Sequence, residues 1–179
     1  GALAFFRVTE AAGSVDALAA VLRSRSPKRP FQAILLAWGF ASFLQSVGGF
    51  GVPVAVTAPL LVGLGFSPLE SVLMPSLGHA WAVSFGSLGS SFFALMAATG
   101  LEGALIAPWV AGALGVVCLM VGPMVLWIAG GKQNLHEGTF IRQILPVMAM
   151  AIAMAGIQTL AARAGLWNIS AMLGALAGL

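Results

Sequence analysis

The groups through which this chain could do chemistry are few, and they sit in apolar surroundings. Gly48-Gly49-Phe50-Gly51-Val52-Pro53 lies between Arg29 and Glu70, an interval without any charged residue. Glycines permit backbone shapes that end a helix. Pro53 suits the first turn of a new helix through Val54 to Ala58, which carries Thr57. The start of such a helix presents unpaired N–H groups and the positive end of its dipole, enough to receive a carboxylate without any arginine. Gln45, one turn before the glycines, can donate and accept hydrogen bonds but cannot carry a proton. A second cluster of small and hydroxylated residues follows, Ser84-Phe85-Gly86-Ser87-Leu88-Gly89-Ser90-Ser91. His79, five residues before Ser84, is the side chain between Glu70 and Glu102 that can exchange a proton near neutral pH. The candidate solute-binding set is therefore Gln45, Gly48, Gly49, Gly51, Thr57, Ser84, Gly86, Ser87 and Ser90, with His79 as the proton-coupling candidate. Structural readings compete with each of these. The first cluster also suits a Gly/Pro kink at a helix contact. Gly86 and Ser90, four apart, fit small-residue helix packing. His79 also fits a neutral imidazole bonded between helices.

The elements that position these groups must cross a membrane. Hydrophobic residues make up 60% of the chain and charged residues 7%, against about 25% charged in ordinary soluble domains. The mean hydropathy is +1.02. These values predict an all-α, polytopic membrane protein. In lipid every backbone polar group needs a partner, so irregular backbone is expected only where protein shields it or where it lines a polar cavity. A broken apolar segment is thus where a carrier would hold its solute. The net charge of +3 comes largely from Arg23, Arg25, Lys28 and Arg29, directly before the first apolar block. That placement is a positive-inside topology signal and gives no reason to expect nucleic acid as a partner. Cys118, the single cysteine, excludes an intrachain disulfide and reads as a small buried hydrophobe. Enzymatic signatures are missing: His136-Glu137 lacks the second histidine of a zinc-hydrolase motif, and there is no P-loop. No cofactor and no metal are expected. No secretory signal is legible in residues 1–29, and the chain reads as a fragment of a longer carrier.

Residues 1–30 read as a cytoplasmic segment with an amphipathic helix over 14–25, capped by Ser14 and stopped at Ser26-Pro27. Residues 31–179 read as the transmembrane region, divided by Glu70, Glu102 and Lys132. A straight span needs about 20 residues. The block 31–69 is too long for one span and short for two, and its broken centre favours a re-entrant hairpin with its tip near Gly48 to Gly51. The block 71–101 reads as one helix broken near Gly86 to Gly89. A single helix is expected over 103–131, another over 144–162, and a truncated one over 166–179. The loop from Lys132 to Arg142 is expected on the cytoplasmic side. Trp109 and Trp127 suit interfacial anchors. The two breaks are expected to face each other near the membrane midplane.

The stretch Phe43-Leu44-Gln45-Ser46-Val47-Gly48-Gly49-Phe50-Gly51-Val52-Pro53-Val54-Ala55-Val56 resembles the signature of the lactate permease family. Ala58-Pro59-Leu60-Leu61-Val62-Gly63-Leu64-Gly65-Phe66-Ser67-Pro68-Leu69 continues the resemblance, and Val83-Ser84-Phe85-Gly86-Ser87-Leu88-Gly89 resembles a later family segment. The resemblance implies a multi-pass carrier of the bacterial inner membrane that imports L-lactate, or a related small 2-hydroxy monocarboxylate such as glycolate, together with protons. It also implies an ion-transporter-type half, built from a re-entrant hairpin and a broken helix. Its partners would be a small organic anion, a proton and membrane lipid. Two departures stand out. Gln45 replaces the family's usual glutamate, and His79-Ala80-Trp81-Ala82 replaces an Asn-Thr-Ala-Pro type sequence. The alternatives are a carrier of another small organic anion, or a passive channel or structural membrane subunit.

Overall fold

The computed structural model describes residues 29–49, 51–130 and 139–179. The amphipathic helix expected over 14–25, Phe50 and most of the loop after Lys132 lie outside them. Among the described residues every regular element is helical. Helix α1 spans Arg29–Gly48 and α2 spans Val52–Gly63. Then come α3 (Pro68–Gly78), a short 3₁₀ turn (Ala80–Ala82) and α4 (Gly86–Thr99). Two long helices follow, α5 (Gly103–Gly130) and α6 (Thr139–Arg163), and then the short α7 (Ser170–Ala177).

Length and apolarity fit α1, α5 and residues 141–163 of α6 for crossing a membrane. The pair α3 and α4 makes a fourth candidate, bent by 52° at its break. The chain is thus a polytopic helical membrane protein.

The helical layout of the described residues rests on close contacts made through small residues. On α5, Gly103, Ala107, Ala111, Gly115 and Cys118 form a buried stripe at helical spacing. Small side chains let backbones approach where lipid offers no hydrophobic drive between helices. A Cβ on Gly115 would touch Ala155 at 3.5 Å, and one on Gly122 would strike the Trp38 ring at 2.6 Å. The opposite face of α5 carries exposed Leu105, Trp109, Val116 and Met120. Trp109 and Trp127, near its two ends, are both exposed, as interfacial anchors must be.

Within α1 the residues Leu35–Phe40 form a π-helical segment. Such wide turns insert an extra residue and concentrate at functional positions. Here it seats Trp38, fully buried, against α5 and meets α3, where Gly78 lies directly on the Ala37 carbonyl. Any side chain at position 78 would overlap that backbone.

The base of the α1–α2 pair is tied. Arg29 donates to the Gly65 carbonyl at 2.5 Å, and its guanidinium lies 4.9 Å from the Phe66 ring centre. The start of α1 and the turn after α2 therefore lie side by side, while the glycine turn sits at the far end. Glu70 does not divide two blocks as its charge suggests. It closes a capping box at the start of α3, with Ser67 as N-cap: the Ser67 amide donates to Glu70 Oε2 at 2.9 Å, and the Glu70 amide donates to Ser67 Oγ at 3.3 Å. That capping starts α3 at Pro68, three residues before the expected block.

Candidate functional site

The turn between α1 and α2 is built by glycines in conformations closed to other residues. Gly49 has φ 75° and Gly51 φ 85°, where a Cβ would crowd the backbone. Gly51 caps α2, and Pro53 occupies its first turn. The amides at the start of α2 thus open onto the turn.

The second break is larger than the expected Gly86 to Gly89. Regular α-helix stops at Gly78, and the chain passes through the 3₁₀ turn and the residues Val83 to Phe85. Ser87, Leu88 and Gly89 then take left-handed conformations, with φ of 49°, 54° and 81°. Two of these are not glycine. A left-handed L-residue costs roughly 1–2 kcal/mol, so Ser87 and Leu88 persist only because their surroundings fix them. Phe85 and Phe92 bracket the break with ring centres 4.9 Å apart, and Phe92 meets Trp167 at 5.4 Å. Trp167 is anchored by its indole N–H to the Ala162 carbonyl at 2.9 Å. A Cβ on Gly89 would lie 3.0 Å from Asn168 Cα, so the turn between α6 and α7 backs the break.

The two breaks meet. A Cβ on Gly86 would lie 2.9 Å from Gln45 Nε2 and 3.1 Å from the Gln45 carbonyl, and a Cβ on Gly49 would overlap Ser87 Oγ. Gln45 is fully buried, and neither its Oε1 nor its Nε2 has a hydrogen-bond partner in the protein. An unpaired buried amide group costs about 1–3 kcal/mol. A polar group held at that cost in a membrane protein points to a polar occupant.

The remaining candidates divide. Thr57 is buried, but its hydroxyl donates to the Pro53 carbonyl of its own helix at 2.7 Å. Gly48 is exposed beside Val52. Gly51 is exposed with open space around it, so its conformation, and no crowding by protein, demands glycine. Ser84 and Ser87 are half-buried, and Ser90 is exposed. The His79 Nδ1 lies 2.5 Å from the Pro75 carbonyl, where it acts as donor, one turn back on α3. That bond leaves Nε2 as the ring's second polar atom.

Two contributors, Trp81 and Ser42, lie outside the candidate set. Trp81 is fully buried, and its indole donates to Ser42 Oγ at 2.8 Å, while Ser42 donates to the Gly78 carbonyl at 3.2 Å. These bonds pin the break to α1 three residues before Gln45. Serines are common in apolar helices, so this pair was not legible. No group of three or more potential metal ligands occurs among the described residues.

The profile of the L-lactate permease family matches residues 1–179. The chain belongs to the L-lactate permease family. The L-lactate permease of Bacillus subtilis (strain 168) is 32% identical over 132 residues, 74% of this chain and 23% of that protein. A putative L-lactate permease of Haemophilus influenzae is 36% identical over 90 residues, 50% of this chain and 17% of its relative. The glycolate permease of Escherichia coli (strain K12) is 33% identical over 101 residues, 56% of this chain and 18% of that protein. The matched stretch spans less than a quarter of each of these curated relatives. No solved structure matches the chain. Membership in this permease family, with its several apolar helices, makes the chain part of a multi-pass protein of the bacterial plasma membrane.

Proposed function

We propose that the complete permease imports L-lactate or a related small 2-hydroxy monocarboxylate such as glycolate, by proton symport, and that this chain supplies half of its site. The observation that carries the reading is the meeting of the two breaks, Gln45 on Gly86 and Gly49 on Ser87. The names of the relatives, L-lactate permease and glycolate permease, supply the substrate class. In this reading α1 and α2 form a re-entrant hairpin, supported by the Arg29–Gly65 tie at its base. Helices α3 and α4 form one broken crossing.

The chemistry follows from the groups. The amides at the start of α2 receive the carboxylate, aided by the helix dipole. The Gln45 amide donates to a carboxylate oxygen and accepts from the 2-hydroxyl, which a glutamine can do at once. Gly48, Gly49, Gly51, Gly86, Ser84, Ser87 and Ser90 line the approach, and Thr57 holds the first turn of α2. Gln45 is sealed in this arrangement, so the solute enters when hairpin tip and broken helix part, as alternating access requires. Gln45 cannot titrate. His79 is the local group able to take up a proton, and its positive charge would then favour the anion.

Uptake of labelled lactate and glycolate by the full-length protein in vesicles tests the reading. Saturable accumulation driven by an imposed pH gradient is expected, and linear, gradient-independent flux would make the protein a channel. His79→Gln should abolish gradient-driven accumulation while sparing lactate exchange. Full accumulation by that variant would move the coupling group outside this chain.

A further inference from the structure

Gln158 lies in the last two turns of α6, a long apolar helix that the site described above does not include. It is fully buried, and neither its Oε1 nor its Nε2 has a hydrogen-bond partner in the protein. Its surroundings are close-packed. A Cβ on Gly174 of α7 would lie 3.1 Å from Gln158 Cβ, 3.0 Å from the Trp81 ring and 2.8 Å from the Met154 carbonyl. Gln158 and Trp81 therefore flank the same point of α7. Trp81 in turn donates to Ser42, three residues before Gln45 on α1. Among the described residues, the two buried amides that lack protein partners on both atoms thus belong to one connected region, Gln45 at the meeting of the breaks and Gln158 behind the Trp81 indole.

A helix that needed only apolar packing here would carry leucine or methionine. A buried amide with nothing to bond is a poorer choice in a membrane than in a soluble core, because no water competes for the group and no rim exposes it. This chain alone already encloses Gln158 completely, so a further protein segment reaches it only by displacing α7. A small polar molecule needs a smaller opening. Gly174 gives that opening a place: α7 meets α6 there through a glycine that packs on the Met154 carbonyl and the Gln158 Cβ, with the Trp81 indole of the 3₁₀ turn beside it.

We propose that Gln158 is a second polar station on the solute's route, contacting the carboxylate or hydroxyl of a small hydroxy acid when α7 parts from α6 at Gly174. The assignment rests on the transport reading given above. Gln45 and Gln158 would act in succession, with the Trp81 indole between them. An arrangement that leaves an amide dry is disfavoured against one in which solute satisfies it, so the solute itself would bias the opening.

The test uses the full-length protein in vesicles and in detergent, comparing Gln158→Met with Gln45→Met and the wild type. Methionine matches glutamine in length and bonds to nothing. The expected result for Gln158→Met is a melting temperature equal to or above that of the wild type, because an unpaired buried amide is gone, with labelled-lactate uptake reduced at least tenfold. An unchanged uptake at an equal or higher melting temperature would overturn the proposal and make Gln158 a packing residue. A lowered melting temperature would overturn it too, since protein groups would then be partners of the amide. Gln158→Asn keeps the amide but shortens its reach, and should fall between methionine and wild type in uptake. The controls separate the two readings. Missing uptake by the wild type, or full uptake by Gln45→Met, strikes at the transport site itself, whereas loss at Gln45 with retention at Gln158 strikes only at the second station.

Discussion

In the proposed site Gly86 is under the closest constraint, because it faces the Gln45 amide at a distance no side chain tolerates. Gly86→Ala should push the Gln45 side chain out of place at an overpacking cost of about 1–3 kcal/mol. Uptake per folded molecule should fall at least tenfold. Gly63→Ala is the matched control: it lies at the end of α2 with nothing near its Cβ position, and should transport like the wild type. Equal loss in both variants would mean that glycine content matters and the Gln45 contact does not. Leu88 offers the opposite experiment. It is half-exposed with φ 54°, so Leu88→Gly removes left-handed strain and little packing. The variant should gain roughly 1 kcal/mol of stability, read as a higher melting temperature in detergent. A drop would show that the leucine side chain contributes more than its backbone costs.

At the scale of the element, the start of α3 separates stability from transport. The Ser67–Glu70 capping box lies in the turn after α2, on the side of the Arg29 tie and away from the glycine turn. Ser67→Ala should cost about 1 kcal/mol and leave uptake per folded molecule unchanged. A selective loss of uptake would place this turn in the mechanism. The same element shows where the sequence misleads. Charge at Glu70 reads as a boundary between apolar blocks, yet the residue belongs to the helix it starts. The physical reason is local: its carboxylate accepts from the Ser67 amide and hydroxyl, which a charge count cannot see. The break in α3–α4 is likewise legible as a cluster of glycines and serines. Its left-handed path through Ser87 and Leu88 is not, because neither residue prefers that conformation and only Phe85, Phe92 and Trp167 around them fix it.

At the scale of the whole molecule, the chain should enter and leave the membrane in a pattern that cysteine accessibility can read. Cys118, the single cysteine of these 179 residues, is buried and should stay unlabelled by a membrane-impermeant thiol reagent. Ser67→Cys should react only from the cytoplasmic face, alongside the basic cluster that precedes α1. Thr99→Cys and Ala164→Cys, both exposed, should react only from outside. Labelling of all three from one face would rule out α3–α4 as a broken crossing.

The sequence by itself determined the solvent, the element type and the family. Some 60% apolar residues require a membrane, a membrane requires helices here, and the glycine-rich signature carries the resemblance that the family match bears out. It also marked the glycine turn before Pro53 and part of the second break, because glycine and proline act locally on the backbone, although that second break already begins after Gly78. Tertiary structure alone decided what those breaks touch. The contact of Gln45 with Gly86 joins residues 41 positions apart, and the enclosure of Gln158 beside Gly174 and Trp81 draws on three separate helical elements. Periodicity fixes which face a residue occupies, but in a membrane both lipid and protein are apolar, so hydropathy does not say which face meets another helix. Packing of small residues makes that choice, and it becomes visible only when the helices are assembled.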